Sequence, residues 1–339
     1  MKTVIKLFAG VFLLLGLCCM STPTATLGSG EYTDDFISCW DHFDTTYCYF
    51  PSKGVDWQYC YQKYLSLAME AQRDDDFLNV LMDMLAELRD AHVHIATDEG
   101  YFFPWSRDYE ANYSNAVSDS YFEAFGGVSY NPEGMFSYCC SPKISYFRIS
   151  SWPSNMNTQE FQHLFDSLAI NSEAVIIDVR MNGGGNSSKA FEVAQRFADR
   201  ERAALYVQFR DGPDHDDFCD YIVSAIFPGG HQRYTGPVYV LQGRGVASST
   251  EMFLCYMGVI PSVTTVGERS YGASGCPVYM TLPNGWQVKV PTWIDYTADM
   301  VIIEWTGIEP DVYIDTTLED FNSGVDPILD FVFSECGLL

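Results

Sequence analysis

Apolar and polar positions change rhythm along the chain, and the changes divide it. From Tyr32 to Tyr47, from Val55 through Tyr64, and from Asp74 to Arg89, apolar residues recur three and four apart, the period of a helix with one buried face. Asp56, after Gly54, and Asp76, before Phe77, are suited to open two of these helices. Across Leu88–Ile95 the period becomes alternating, which predicts a strand with His92 and His94 on one face. The span 99–142 is aromatic and polar without a clear period and reads as irregular connecting structure. Ile144–Ile149 then alternates, Thr158–Leu168 is helical, and Ala174–Val179 is a continuous apolar run, as in a strand buried on both faces of a parallel sheet. Val238–Leu241 and Ser262–Glu268 add strands. Helices are expected at Ser188–Ala198, after Thr250, and over Asp326–Phe333, where Pro327 suits the first position. Val278–Leu282 and Trp286–Val290 predict a hairpin turning at Pro283-Asn284-Gly285. Strands alternating with helices from residue 144 onward predict an α/β core.

Two strand-to-helix turns stand out. The first is Arg180-Met181-Asn182-Gly183-Gly184-Gly185-Asn186, whose glycines allow the backbone to approach a ligand. No Gly-Lys-Ser/Thr follows and the G-x-G-x-x-G spacing is absent, so a phosphate loop is not indicated; a tight turn is the plainer reading. The second is Arg244–Thr250, with Ser248 just ahead of a helix. A hydroxyl there lies beside unpaired backbone N–H groups that can stabilise an oxyanion, although an isolated serine before a helix is more often a cap. For His92 and His94 three readings stay open: a general base for Ser248, two ligands of a metal, or histidines that satisfy local hydrogen bonds. No other compact histidine cluster completes a metal site.

Composition narrows the classes. With 339 residues and 47% hydrophobic content the chain buries a substantial core, and 45 acidic against 19 basic residues, a net of −26, argue against nucleic acid as a partner. Residues 1–19 read as an export signal: Lys2 and Lys6 precede an apolar run, Leu7–Leu17, too short to span a bilayer. Leu15-Gly16-Leu17-Cys18-Cys19 resembles a bacterial lipoprotein signal, with Leu17 where a small residue is usual. Membrane anchoring through lipid on Cys18 or Cys19 and simple cleavage between Met20 and Thr26 both stay open; either places the mature protein in the bacterial cell envelope. Residues 20–31, rich in Ser, Thr, Pro and Gly, read as a linker. No close C-x-x-C pair suggests structural zinc, and Cys39 with Cys48 or Cys60 is the candidate disulfide.

Several short motifs, taken together and in order, resemble the serine peptidase family that contains the C-terminal processing (tail-specific) proteases, the tricorn protease core and interphotoreceptor retinoid-binding protein. They are Gly54-Val55-Asp56-Trp57, Leu88-Arg89-Asp90-Ala91-His92, Ile177–Gly185, Ala247–Glu251, Val266-Gly267-Glu268 with Gly272, and Gly307-Ile308-Glu309-Pro310-Asp311. The resemblance implies a crotonase-like (ClpP/crotonase) α/β core over residues 143–339, joined through 99–142 to a small N-terminal helical subdomain over 32–98. It implies Ser248 as nucleophile. The lysine base of the processing-protease branch would fall at about Ala273, with no lysine nearby, so the resemblance is nearer to the tricorn-like branch, with His92 as base and Glu304 behind it. Where a serine can relay between those two, this chain has Ala91. The oxyanion hole would come from the backbone of Ser249 and the Gly183–Gly185 loop, Gly184 above all. The span between His92 and Ile144 is too short for the PDZ domain common in the family. The expectation is therefore an exported serine endopeptidase, free of metal and cofactor, acting on extended peptides or unfolded protein tails. The alternative is a weak or inactive relative that binds an apolar ligand or a peptide.

Overall fold

The computed structural model describes residues 31–110 and 112–339. The expected export signal, with Cys18 and Cys19, and nearly all of the expected linker lie outside them. The chain opens with four helices, α1 (Glu31–Thr46), α2 (Phe50–Lys53), α3 (Trp57–Glu70) and α4 (Asp74–Ala86), followed by the short strands β1 (His94–Thr97) and β2 (Gly100–Phe102). Asp56 caps α3 by accepting the Tyr59 N–H. Helix α4 starts two residues before the expected Asp76, so that Asp74, Asp75 and Asp76 occupy its first turn, where negative charge offsets the helix dipole.

The segment 99–142, expected to be irregular, contributes β2, α5 (Asn115–Ser120) and two strands of the main sheet, β3 (Ser129–Tyr130) and β4 (Phe136–Cys140). The α/β part follows: β5 (Ile144–Ile149), α6 (Thr158–Leu164), β6 (Ala174–Asp178), α7 (Ser187–Ala194), β7 (Arg202–Phe209), β8 (Ile222–Ile226), β9 (Val238–Gln242), α8 (Ser249–Gly258) and β10 (Val263–Gly267). The hairpin β11 (Val278–Thr281) and β12 (Gln287–Val290), then β13 (Trp293–Thr297), β14 (Val312–Tyr313), α9 (Leu318–Asn322) and α10 (Pro327–Glu335), complete it.

Seven strands form the central sheet in the order β14-β10-β9-β6-β5-β4-β3, parallel from β14 through β5 and antiparallel beyond. Strand β6 is buried throughout because both of its faces are covered, as its unbroken apolar run predicts. One core lies on the face carrying α6, α7 and α8 and includes Phe147, Phe161, Val193 and Phe253; the other sits under α10, with Tyr146, Ile176, Leu329 and Phe333. A third core crosses the expected domain boundary. Phe43, Trp57, Phe77 and Leu85 of the helices pack with Val288, Val290, Ile294 and Tyr296 of the C-terminal part, and β11-β12-β1-β2 form a single sheet. The amino-terminal helices are thus sealed by strands some two hundred residues away, and β11 and β12 belong with them.

The carboxyl end of β6 is tied to α10 by Arg180. Its guanidinium forms a two-bond fork with Asp178 and reaches both oxygens of Asp326 at 2.8 Å, all three side chains being buried. Removing one partner leaves a buried uncompensated charge. Asp326→Ala is accordingly expected to cost about 3–5 kcal/mol of folding free energy, read as a lower denaturation midpoint. No disulfide forms among the described residues: Cys39, Cys48 and Cys60 are free and buried.

Candidate active site

Ser248 sits between β9 and α8 with φ 57° and ψ −128°, a conformation that non-glycine residues adopt only under constraint, at a cost on the order of 1–3 kcal/mol. The constraint is visible. Its N–H donates to Ala273 O at 2.8 Å and faces Glu251 Oε2 at 3.1 Å. Glu251 is fully buried and also accepts from Ser270 Oγ, Gly272 N and Ala273 N, so one carboxyl group fastens the 270–273 loop to the first turn of α8. Burial lifts its pKa to about 8, and these four bonds oppose the rise.

The glycine loop lies directly against this turn. A Cβ on Gly184 would stand 2.8 Å from Ser248 Cβ, and one on Gly185 would stand 2.3 Å from Trp152 O; both glycines have positive φ. This close approach is what Gly184 and Gly185 permit. Ser249 Oγ donates to Gly185 O at 2.6 Å, and Asn182 Oδ1 accepts from both Thr250 Oγ1 and the Gly184 N–H. The last bond changes one expected role, since the Gly184 N–H is already engaged. Among the described residues the N–H groups of Gly183, Gly185 and Ser249 have no protein acceptor, and all three residues line the cleft beside Ser248.

That cleft, of about 370 Å³, brings together Ser248 and His92, which are 156 positions apart in the chain, with Met252, Cys276, Lys289 and Asp295 among the other lining residues. His92 Nδ1 is buried without a hydrogen-bond partner among the described residues. Burial lowers the imidazole to about 4, although the nearby Asp90 charge pulls the other way. His92 is therefore neutral near pH 7. Asp295 is buried, donated to by Trp293 Nε1 at 3.1 Å, and burial raises its pKa to about 6.

Glu304 is close to His92 but is not hydrogen-bonded to it. Its Oε1 accepts from Lys53 Nζ at 2.7 Å and its Oε2 from the Ser274 N–H at 2.9 Å. Asp90 holds the backbone of His92 through Oδ1, while its Oδ2 accepts from Tyr47 OH and Lys53 Nζ at 2.8 and 2.9 Å. The result is a buried Tyr47–Asp90–Lys53–Glu304 network under the imidazole, the Asp90, His92 and Glu304 ligand atoms lying within 4.8 Å of one another. Burial and the Asp90 charge push Glu304 up against the pull of Lys53; for Asp90, Lys53, His92 and Tyr47 outweigh burial and hold it below the ordinary carboxylate range. Three potential metal ligands thus converge, but the Lys53 ammonium already occupies the space between the two carboxylates. The other histidine, His94, is spent on Tyr279 OH at 2.8 Å. Lys53 is the functional residue that sequence reasoning missed; its place just before the Gly54-Val55-Asp56-Trp57 motif was the available signal.

Comparison with known proteins identifies relatives in sequence and in fold. Residues 143–314, more than half of the chain, match peptidase family S41, and residues 29–86 match the tricorn protease C1 domain. The chain is 28% identical over 174 residues to a chloroplastic C-terminal processing peptidase of Tetradesmus obliquus, a match covering 51% of this chain and 35% of that protein. It is 26% identical over 183 residues to the carboxy-terminal processing protease CtpA of Bacillus subtilis (strain 168), covering 53% and 37%. The matched stretch is thus little more than a third of the length of these relatives. A candidate peptidase of Parabacteroides merdae ATCC 43184 superposes with a TM-score of 0.80 at 29% identity, covering 91% of this chain and 97% of that one.

Proposed function

Because the chain belongs to peptidase family S41, we propose that it is a serine endopeptidase in which Ser248 attacks the scissile carbonyl of an extended peptide or unfolded protein tail. The observation that carries this reading is the constrained backbone of Ser248 at the head of α8, in one cleft with His92 and the free N–H groups of Gly183, Gly185 and Ser249. A serine hydroxyl is a weak nucleophile until a base accepts its proton, and neutral His92 is the base in reach of the cleft. The proton then passes from the imidazolium to the leaving amine, and water hydrolyses the acyl-enzyme by the same route in reverse. The tetrahedral oxyanion is held by Ser249 N–H and by Gly183 or Gly185, in place of Gly184.

Under the imidazole, two carboxyl groups face one ammonium. A proton arriving on His92 is met by the Asp90 carboxylate, which is held ionised and favours the imidazolium through space, without a direct Glu304 hydrogen bond. The base must be unprotonated, and activity is lost as pH falls through its pKa. The acid limb of kcat/KM is therefore expected near pH 4, well below the ordinary histidine value of about 6.5, with folding followed by circular dichroism across the same range.

We further propose export to the cell envelope, supported by the basic and apolar start of the sequence and by the lipoprotein-like Leu15–Cys19. Among the described residues no helix is long and apolar enough to cross a membrane. The deciding experiment is reaction of the purified protein with a fluorophosphonate probe, read by intact mass. One adduct, absent from Ser248→Ala, is the expected result; a folded protein that forms none, or whose adduct survives the substitution, would refute the assignment.

A further inference from the structure

The fold brings to the cleft a lysine that spacing in sequence gave no reason to place there. Lys289 lies on β12, the second strand of the β11-β12 hairpin, and lines the cleft together with Ser248 and His92. The chain carries 45 acidic residues, and the other described lysines, Lys53, Lys63, Lys143 and Lys189, are each within 4.0 Å of a carboxylate. Among the described residues Lys289 has no such partner and no hydrogen bond, although it is half-buried. In so acidic a chain, an ammonium held away from every carboxylate is an unmet charge at the place where substrate must lie.

Its setting keeps it so. In the antiparallel registers Tyr279 and His94 lie directly opposite Lys289 on the two neighbouring strands, β11 and β1. They hydrogen-bond to each other at 2.8 Å and so bracket the lysine between them; the ammonium is 5.8 Å from the Tyr279 ring centroid. Tyr101 and Phe103 pack on His94, both with more than half of their surface exposed, and extend the same face as an aromatic wall. Burial and the neighbouring Lys289 charge keep His94 neutral near pH 7, and burial does most of the same for His92. Burial lowers the Lys289 ammonium from its ordinary value, and among the described residues no other lysine or arginine lines the cleft; Asp295, the carboxyl in the same cleft, does not come within 4.0 Å of it.

We infer that Lys289 is a specificity-determining residue that binds a carboxylate of the peptide, supplied either by its C-terminal end or by an Asp or Glu side chain. The inference rests on the reading of this cleft as a peptidase site, but its test does not require turnover. Affinities are measured by fluorescence anisotropy on the Ser248→Ala protein at pH 7, with short random peptides lacking Asp and Glu and carrying a neutral dye. One pool ends in a free carboxylate, a second in an amide, and a third in an amide with one internal Glu.

The first or the third pool is expected to bind about 10- to 100-fold more tightly than the second, the size of a charge-assisted hydrogen bond, and which of the two does so identifies the source of the carboxylate. Lys289→Met should abolish the preference and Lys289→Arg should keep it. Equal binding of all three pools, or a preference that survives Lys289→Met, would overturn the inference. So would loss of fluorophosphonate labelling in Lys289→Met alone, which would make the lysine part of the proton transfer. Absence of labelling in the unmodified protein, with the carboxylate preference intact, would instead count against the peptidase reading.

Discussion

Replacing Ser248 with alanine is expected to lower kcat by about four to six orders of magnitude while leaving the protein folded. Nucleophile and base act as a unit, so removing either costs nearly as much as removing both; what remains is the rate that the oxyanion donors and binding alone provide. The fold should persist because the turn is fastened by backbone groups and by Glu251, none of which the substitution removes. The neighbours cannot take over. Ser249 Oγ is committed to Gly185 O, Ser274 Oγ is hydrogen-bonded to Tyr49 OH at 2.9 Å, and burial raises the Cys276 thiol to about 12, leaving little thiolate near neutrality. Steady-state hydrolysis of a fluorogenic peptide mixture, with the thermal midpoint measured in parallel, checks both halves. A variant retaining the full rate would mean that the chemistry lies elsewhere.

What the sequence disclosed about this site follows from distance along the chain. The Ser248 turn is local: an apolar strand, a short polar turn and a helix follow one another, and their pattern makes the serine a candidate that the family motifs then favour over a cap. The triple glycine is local too, and its closeness to Ser248 follows from β6 and β9 being neighbours in the sheet. The direction of the Gly184 N–H was not legible, because the Asn182 side chain sets it. Lys53 meets Glu304 across 251 positions, and Lys289 enters the cleft only because β12 pairs with β1 in a sheet that closes the amino-terminal helices. Neither pairing leaves a periodic trace. The hairpin was expected, but its partner strand was not, and that partner decides which residues face Ser248. For the same reason the 99–142 segment read as irregular: β3 has two residues and β4 five, too short for alternation to rise above the surrounding aromatics.

Lys53→Met is expected to have a large effect on stability and to reveal how the base is tuned. The ammonium is almost fully enclosed, walled by the rings of Tyr47, Tyr49 and Trp305 at 5.3–5.8 Å, and methionine fills a similar volume without the charge. Asp90 and Glu304 are then left facing each other in a buried space, and breaking a buried pair in this way costs about 3–5 kcal/mol. The loss should depend on pH with a definite sign. With Lys53 present, Asp90 is held below its unfolded value, so its contribution to stability is present above that value and lost on acidification through the folded one. Without Lys53 the two carboxyl groups share one proton, which the folded state releases only above the unfolded values, so that contribution to stability is retained in acid and lost as pH rises. Denaturation midpoints at pH 5 and pH 8 should therefore diverge more for the variant than for the unmodified protein. Adding Glu304→Gln, which removes the second charge, should recover much of the deficit at pH 8. Lys53→Met also removes a positive charge that adds to burial in depressing His92, so the acid limb of kcat/KM should move up from about pH 4. A purely structural lysine would lower the midpoint and leave that limb where it was. Movement of the limb together with the midpoint would show that the buried cation, 39 positions before the histidine in the chain, adds to burial in lowering the proton affinity of the base.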